Sequence, residues 1–566
     1  MKNDERISPK FGSSKLSIQK SATNGKLFLA LTIIMAILLS SCAKDRKQGE
    51  VTYDTKTTAT TEQARMSANT ATTAMPQATP APGEEESPFN TESYSHLDEN
   101  PFLDVAHAPL STFSIDVDTA SYSNTRRFLK DGQLPPKDAV RIEELVNYFS
   151  YDYPQPVGNA PFSVTAEISE APWNPQHRLV HIGLQGKRIP MENLPPANLV
   201  FLIDVSGSMN EPNKLPLVKS SLKTLTEQLN ARDRVAIVVY AGTSGLVLPS
   251  TTGDRKGEIL AAIDRLEAGG STNGGEGIQL AYKIAQENFI KNGTNRVILA
   301  TDGDFNVGTT SEGDLVRLIE QKRESGVFLS VLGFGKGNVK DSTMEKLADK
   351  GNGNYAYIDT MNEARKVLGE QVGGTLFTIA KDVKIQVEFN PKQVAAYRLI
   401  GYENRLLRDQ DFNDDKKDAG DIGAGHTVTA LYEIVPFGQR YENPGVDPLK
   451  YQQPAQASEM ANSNEMMTVK LRYKEPNANE SKLISVSLAD SKGKLDSASE
   501  NFKFASAVAE FGMLLRDSKY KADASYNKVL ELARQSVGND LQGYRSEFIQ
   551  LVDTARLLSS HRASKG

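Results

Sequence analysis

The chain is 566 residues long, with 39% hydrophobic and 24% charged residues and a formal net charge of −6. That balance suits several globular domains with ordinary cores, and it offers none of the basic surface that nucleic-acid binding needs. A single cysteine, Cys42, excludes an intrachain disulfide and a cysteine-rich metal site.

The first expected element is not part of a fold. Lys2, Arg6, Lys10, Lys15, Lys20 and Lys26 form a basic stretch, followed by a largely apolar run of 13 residues, Leu27 to Leu39, and then Leu39-Ser40-Ser41-Cys42. The run is shorter than the ~20 residues that span a bilayer as a helix, but suits the apolar core of a signal peptide over residues 1–41. Leu-Ser-Ser-Cys resembles the bacterial lipobox, which implies cleavage before Cys42 and acylation of its sulfur. With no aspartate directly after Cys42, the expected location is the cell envelope, at the outer membrane or surface rather than the inner membrane. Residues 42–110 are rich in Thr, Ala, Pro, Ser and Glu and poor in large apolar residues, so they read as a disordered tether.

Folded structure is predicted to begin at Ser111. In residues 111–195, helices are expected around Ser121–Lys130 and Asp138–Phe149, and strands between Phe162 and Leu184. Residues 196–380 alternate apolar strand runs with amphipathic helices. Leu199–Ile203 is followed by a helix over Leu215–Leu229, and Val235–Tyr240 by helices over Lys256–Leu266 and Glu276–Ile290. Val297–Ala300 is followed by a helix over Ser311–Ser325, then the strand Val327–Leu332. The fold class is therefore α/β, with a doubly wound parallel sheet. In residues 381–566 the pattern changes again. Val383-Ile385-Val387-Phe389, Val428-Ala430-Tyr432-Ile434, Val469-Leu471-Tyr473 and Ile484-Val486-Leu488 alternate, as antiparallel strands with one wet face do. Helical stripes follow at Phe504, Val508, Phe511, Leu515 and at Phe548, Val552, Ala555, Leu558. The order suits a central domain inserted into a sandwich of Phe162–Leu184 and Val383–Leu488.

Candidate chemistry sits at strand ends of the central block. Asp204-Val205-Ser206-Gly207-Ser208 follows the first strand, where open α/β sheets bind ligands. Gly269-Gly270-Ser271-Thr272-Asn273-Gly274 presents a threonine hydroxyl, and Thr301-Asp302-Gly303 ends a later strand with a second carboxylate. These are hard oxygen donors, suited to Mg²⁺ or Mn²⁺. Asp-x-Ser-x-Ser, then Thr, then Thr-Asp-Gly resembles the metal-ion-dependent adhesion site of von Willebrand factor A (vWA) domains. That resemblance implies direct coordination by Ser206 and Ser208, a direct or water-mediated role for Thr272, and action of Asp204 and Asp302 mainly through bound waters. It also implies an open coordination position filled by an Asp or Glu of a partner protein. Phe113–Tyr122 and Arg141–Phe149 resemble the N-terminal region of bacterial vWA lipoproteins, and Tyr397–Arg405 resembles their C-terminal domain.

The remaining polar patterns read as structural. Asp116 and Asp118 are expected to cap the helix near Ser121, and Asp411–Asp415 is expected to be a solvated loop, since Lys416 replaces the turn glycine of a calcium loop. His177 and His181 lack zinc spacing, and Trp173 is expected in a core or interface. No nucleophile and base pair stands out, so the expected role is binding rather than catalysis: a lipid-anchored envelope protein whose metal grips an acidic residue of a partner. The alternative is an envelope assembly factor in which the metal only stabilises the fold.

Overall fold

A computed structural model of the chain describes residues 92–563 apart from 116–117, 242–243, 271–273, 304–310, 442–449 and 451–455. The first segment supplies two short strands, β1 (Leu103–Asp104) and β2 (Leu110–Ser114), then helices α1 (Ala120–Lys130) and α2 (Ile142–Asn147) and the long hairpin β3 (Phe162–Ala171) and β4 (Asn174–Gly186). Helix α2 is shorter than its apolar spacing predicted. A 3₁₀ turn, Lys137–Ala139, comes first, and Val140 (φ −103°, ψ 99°) is extended, which interrupts any helix running through it.

The chain then enters the central α/β block. Its elements are β5 (Ala197–Asp204), α3 (Leu215–Gln228), β6 (Arg234–Tyr240), β7 (Ser244–Thr252), α4 (Lys256–Asp264), α5 (Gly274–Glu287), β8 (Thr294–Thr301), α6 (Glu312–Arg323), β9 (Phe328–Gly333), α7 (Asp341–Lys350), β10 (Tyr355–Tyr357), α8 (Met361–Arg365) and α9 (Val372–Leu376). They form a six-stranded sheet in the order β10-β9-β8-β5-β6-β7. All pairings are parallel except that of β7, which runs antiparallel to β6. Strand β5 is buried along its whole length because helices cover both faces. Phe201 and Ile203 share a core with Val218, Leu222 and Ile259, while Val200 and Leu202 share one with Ile278, Ala281 and Leu315. The doubly wound sheet predicted by the alternation is the one observed.

After α9 come β11 (Thr378–Phe389), β12 (Val394–Ile400), β13 (Gly420–Gly423), β14 (Thr427–Pro436), β15 (Glu465–Lys474) and β16 (Lys482–Ala489), then α10 (Glu500–Arg516), α11 (Tyr526–Gln535) and α12 (Tyr544–Ala563). Two sheets result. One runs β1-β12-β14-β4-β3; the other runs β13-β11-β15-β16, with β2 also paired to β11. Their inner faces share a core that includes Val180, Ile182 and Tyr432 from the first sheet and Ile385, Val387 and Val469 from the second. The chain thus leaves this sandwich after β4, builds the α/β block, and returns at β11.

The expected wet face is absent on β14, whose eight interior residues are all buried. Its outer face is covered by helices: Leu431 packs in a cluster with Val146 of α2 and Phe504, Val508 and Phe511 of α10. The predicted stripes on α10 and α12 supply that cover, and Trp173, fully buried in the β3–β4 turn, belongs to the same cluster. Two other expectations are corrected. Asp118 does not cap α1, whose N-terminal residue Thr119 makes no side-chain cap bond. Instead, Asp118 Oδ1 accepts a hydrogen bond from the Tyr355 amide at 2.8 Å, across the chain; Asp116 lies outside the described residues. Asp411 is buried rather than solvated, held with Phe412 in a short 3₁₀ turn by the Arg408 guanidinium. Among the described residues no helix is long and apolar enough to cross a membrane. Cys42, the signal segment and residues 43–91 lie outside them. The expected tether does not extend to residue 110, since β1 pairs with β12, the Val105 amide donates to Ala395 O at 3.1 Å and Val105 is buried in the sandwich core.

Candidate metal centre

The site forms where β5 and β8, neighbours in the sheet, end side by side at Asp204 and Thr301. Parallel neighbours end at the same level, so the loops that follow must share that edge. Asp204 is wholly buried. Its Oδ1 accepts from the Ser206 amide at 2.9 Å, which folds the turn back on itself. Its Oδ2 accepts from the Tyr240 hydroxyl at 3.1 Å and the Thr301 hydroxyl at 3.2 Å. Burial pushes the Asp204 carboxyl up to about 6; the bonds from Ser206 oppose this rise and the nearby Asp302 charge adds to it.

The turn leaves Ser206 Oγ and Ser208 Oγ 3.1 Å apart. Ser206 is buried and Ser208 is exposed, so the pair opens to solvent on one side. Asp302 is also wholly buried, and its Oδ2 accepts from Lys214 Nζ at 3.0 Å. Burial raises its carboxyl, but Asn338, Lys214 and Ser208 together outweigh that and hold it below the usual range. Gly303 follows with φ +95°, and an added Cβ would stand 2.8 Å from the Lys340 amide nitrogen. Only glycine lets the loop carrying Asn338 lie so close to Asp302. That loop is fastened from outside: the Ser93 amide donates to Val339 O at 3.1 Å, and Glu92 accepts from the Gly337 amide at 2.8 Å while pairing with Arg127 at 2.9 Å.

Of the five predicted metal residues, Asp204, Ser206, Ser208 and Asp302 converge at this one edge. Thr272 lies outside the described residues; its loop is tied to the same turn through Gly269, whose amide donates to Val205 O at 2.7 Å, and Gly270, which accepts from the Gly207 amide at 3.1 Å. Among the described residues no group of three or more His, Cys, Asp or Glu is placed to hold a metal. The donor set here is instead two hydroxyls and two carboxylates, hard oxygens that fit a small divalent cation. Tyr240, Asn338 and Lys214 were not legible as part of it. Tyr240 ends its strand like any core aromatic, and Asn338 and Lys214 sit in loops with no telling spacing. In the β4 pair, His177 Nδ1 is 2.7 Å from Glu433 and His181 Nε2 is 2.9 Å from the Tyr153 hydroxyl.

Comparison with known proteins agrees with this organisation. Residues 198–370 match the von Willebrand factor type A domain, residues 88–181 a family described as von Willebrand factor, and residues 374–558 the C-terminal family of Uncharacterized protein YfbK. The chain is 47% identical over 475 residues to Uncharacterized protein YfbK of Escherichia coli (strain K12), covering 82% of this chain and 81% of that one. It is 26% identical to human inter-alpha-trypsin inhibitor heavy chain H3 over 49% of this chain, a stretch that spans only 33% of that protein. A solved von Willebrand factor type A protein from Catenulispora acidiphila is 16% identical, with a TM-score of 0.39 over 70% of this chain and 91% of its own. The domain order and the 47% identity to the Escherichia coli protein over 82% of this chain show that this chain belongs to the YfbK family of vWA-domain proteins.

Proposed function

We propose that this chain is an envelope binding protein that holds Mg²⁺ or Mn²⁺ at the end of its vWA sheet and uses it to grip an Asp or Glu of a partner protein. The observation that carries the reading is the convergence of Asp204, Ser206, Ser208 and Asp302 at one sheet edge, with the two serine hydroxyls 3.1 Å apart and Ser208 open to solvent. Ser206 and Ser208, joined by Thr272, would hold the ion, while Asp204 and Asp302 balance its charge from behind. When bound, the cation supplies a Lewis-acidic point for a carboxylate oxygen. The chain's own part is preorganisation. Tyr240 and Thr301 fix Asp204, so its carboxylate needs little rearrangement on loading. Acylation of Cys42 would hold the protein at the envelope, with the segment from residue 43 to about residue 91 as the tether; replacing Cys42 with Ser should then release it from the membrane fraction.

Isothermal titration of the purified chain with Mg²⁺ or Mn²⁺ alone is expected to show one site, absent in Asp204→Ala. Pull-down from envelope extracts should recover a partner only when chelator is absent. A wild-type protein with no measurable affinity for either cation overturns the reading. Partner capture that persists in chelator and in Asp204→Ala replaces it with an assembly role for the flanking domains.

A further inference from the structure

Lys214 is a surprising neighbour for a site that takes up a cation. Its side chain is 5% exposed, and its ammonium lies 3.0 Å from an Asp302 carboxylate that is 0% exposed. A lysine this close to the surface ordinarily runs its charge out to water; here the charge is held inward. The stem is seated in a groove made by Gly335, where φ is +79° and an added Cβ would stand 2.6 Å from Lys214 Cε. The groove is locked by the Gly335 amide, which donates to Asn213 O at 3.1 Å next to Lys214 in the chain. The other acid in reach, Glu211, is 3.8 Å away and 58% exposed, so water screens it. The position of the ammonium is therefore set by Asp302 and by the shape of the loop.

The charges near the sheet edge then follow. Among the described residues buried at this edge, Asp204 and Asp302 contribute two negative charges and Lys214 one positive, leaving that set one unit negative without the metal. A divalent cation makes it one unit positive, and one carboxylate from outside brings it to neutrality. Without Lys214 the loaded site would already be neutral, and the incoming carboxylate would meet no net attraction. Resting on the metal-site reading above, we propose that Lys214 is a specificity-determining residue that weakens cation affinity in order to strengthen the grip on a single carboxylate.

The test is titration at pH 8 and low ionic strength of the purified full chain, as wild type, Lys214→Met and Lys214→Arg, first with Mg²⁺ alone and then, in Mg²⁺-loaded protein, with acetate as the carboxylate. Removing the charge is expected to tighten Mg²⁺ by about tenfold or more and to weaken acetate in the same protein, while Lys214→Arg stays near wild type. Lys214→Gln removes the same charge and replaces the Met variant if that one fails to fold. Mg²⁺ affinity that is unchanged or weaker in both neutral variants, or acetate binding that tightens with it, overturns the proposal while wild-type Mg²⁺ binding leaves the metal site standing. No Mg²⁺ binding by any of the proteins overturns both.

Discussion

Arg141, just before α2, and Asp341, the first residue of α7, form an ion pair at 2.7 Å with both side chains at most 3% exposed. The contact joins the N-terminal segment to the vWA block. Arg141 is also paired with Glu144 beside it, and Asp341 accepts from the Tyr355 hydroxyl at 3.0 Å. Removing one member takes a charge-assisted bond from a buried cluster in which Arg141 also serves Glu144 and Glu345. Asp341→Asn and Arg141→Met are each expected to lower stability by about 3–5 kcal/mol, read as a shift of the urea midpoint. A loss below about 1 kcal/mol in both would show that the pair is solvated in solution.

Thr301 bridges the two strand ends of the metal site. Its hydroxyl donates to Asp204 at 3.2 Å and accepts from the Gly303 amide at 3.2 Å. Thr301→Val keeps the shape and leaves a buried carboxylate and amide short of one partner each. The expected cost is about 1–3 kcal/mol of stability, accompanied by weaker Mg²⁺ binding. Retained Mg²⁺ affinity would show that Tyr240 and Ser206 position Asp204 without help.

His181 on β4 is buried, and that burial lowers its imidazole to about 4. The fold thus favours the neutral ring, so its contribution is present above the unfolded value near 6.5 and is lost as pH falls toward 4. His181→Gln carries no such charge. The stability gap between wild type and this variant should shrink by about 2 kcal/mol between pH 7 and pH 5. A gap that stays constant over that range would mean the imidazole is protonated or solvated in the fold.

Glu510 on α10 behaves in the opposite sense. Burial raises its carboxyl to about 7, against a smaller lowering by the Ser525 amide, which donates to Oε1 at 3.1 Å. The neutral acid is favoured in the fold, so stability is greatest below the unfolded value near 4.5 and declines as pH rises through 7. Glu510→Gln is therefore expected to raise the melting temperature at pH 8, by an amount equivalent to at most about 3 kcal/mol, and to change little at pH 5. A variant less stable than wild type at pH 8 would contradict this.

The central block was the most legible part of the sequence, and for a physical reason. A parallel strand covered on both faces must be apolar throughout, as Leu199–Ile203 is, and the helices between strands show a different period. The site was legible because its motif residues are close in sequence or end adjacent strands. What escaped was set by contacts between distant segments. Strand β7 lies at the sheet edge with mixed burial, and carries no continuous apolar run. The outer face of β14 looked wet because Thr429 and Glu433 are polar, yet both are buried, Thr429 under the Tyr153 hydroxyl at 2.7 Å and Glu433 against Arg398 at 2.7 Å. Asp118 looked like a cap because its partner, the Tyr355 amide, lies 237 positions away. Lys214 had no signal at all: only the folded loop brings it to Asp302.

The insertion of the vWA block between β4 and β11 also dictates an order of events as the chain leaves the ribosome. The edge of β4 that faces away from β3 pairs with β14, so the β3–β4 hairpin emerges with one edge and one apolar face uncovered until residues 197–376 have followed. Among the described residues, the strands of that block pair only with one another in their sheet. The sheet of the inserted block can therefore form early, while the hairpin stays an exposed, aggregation-prone surface until β14 has been made. Holding that hairpin safe during synthesis is the burden this topology places on the cell.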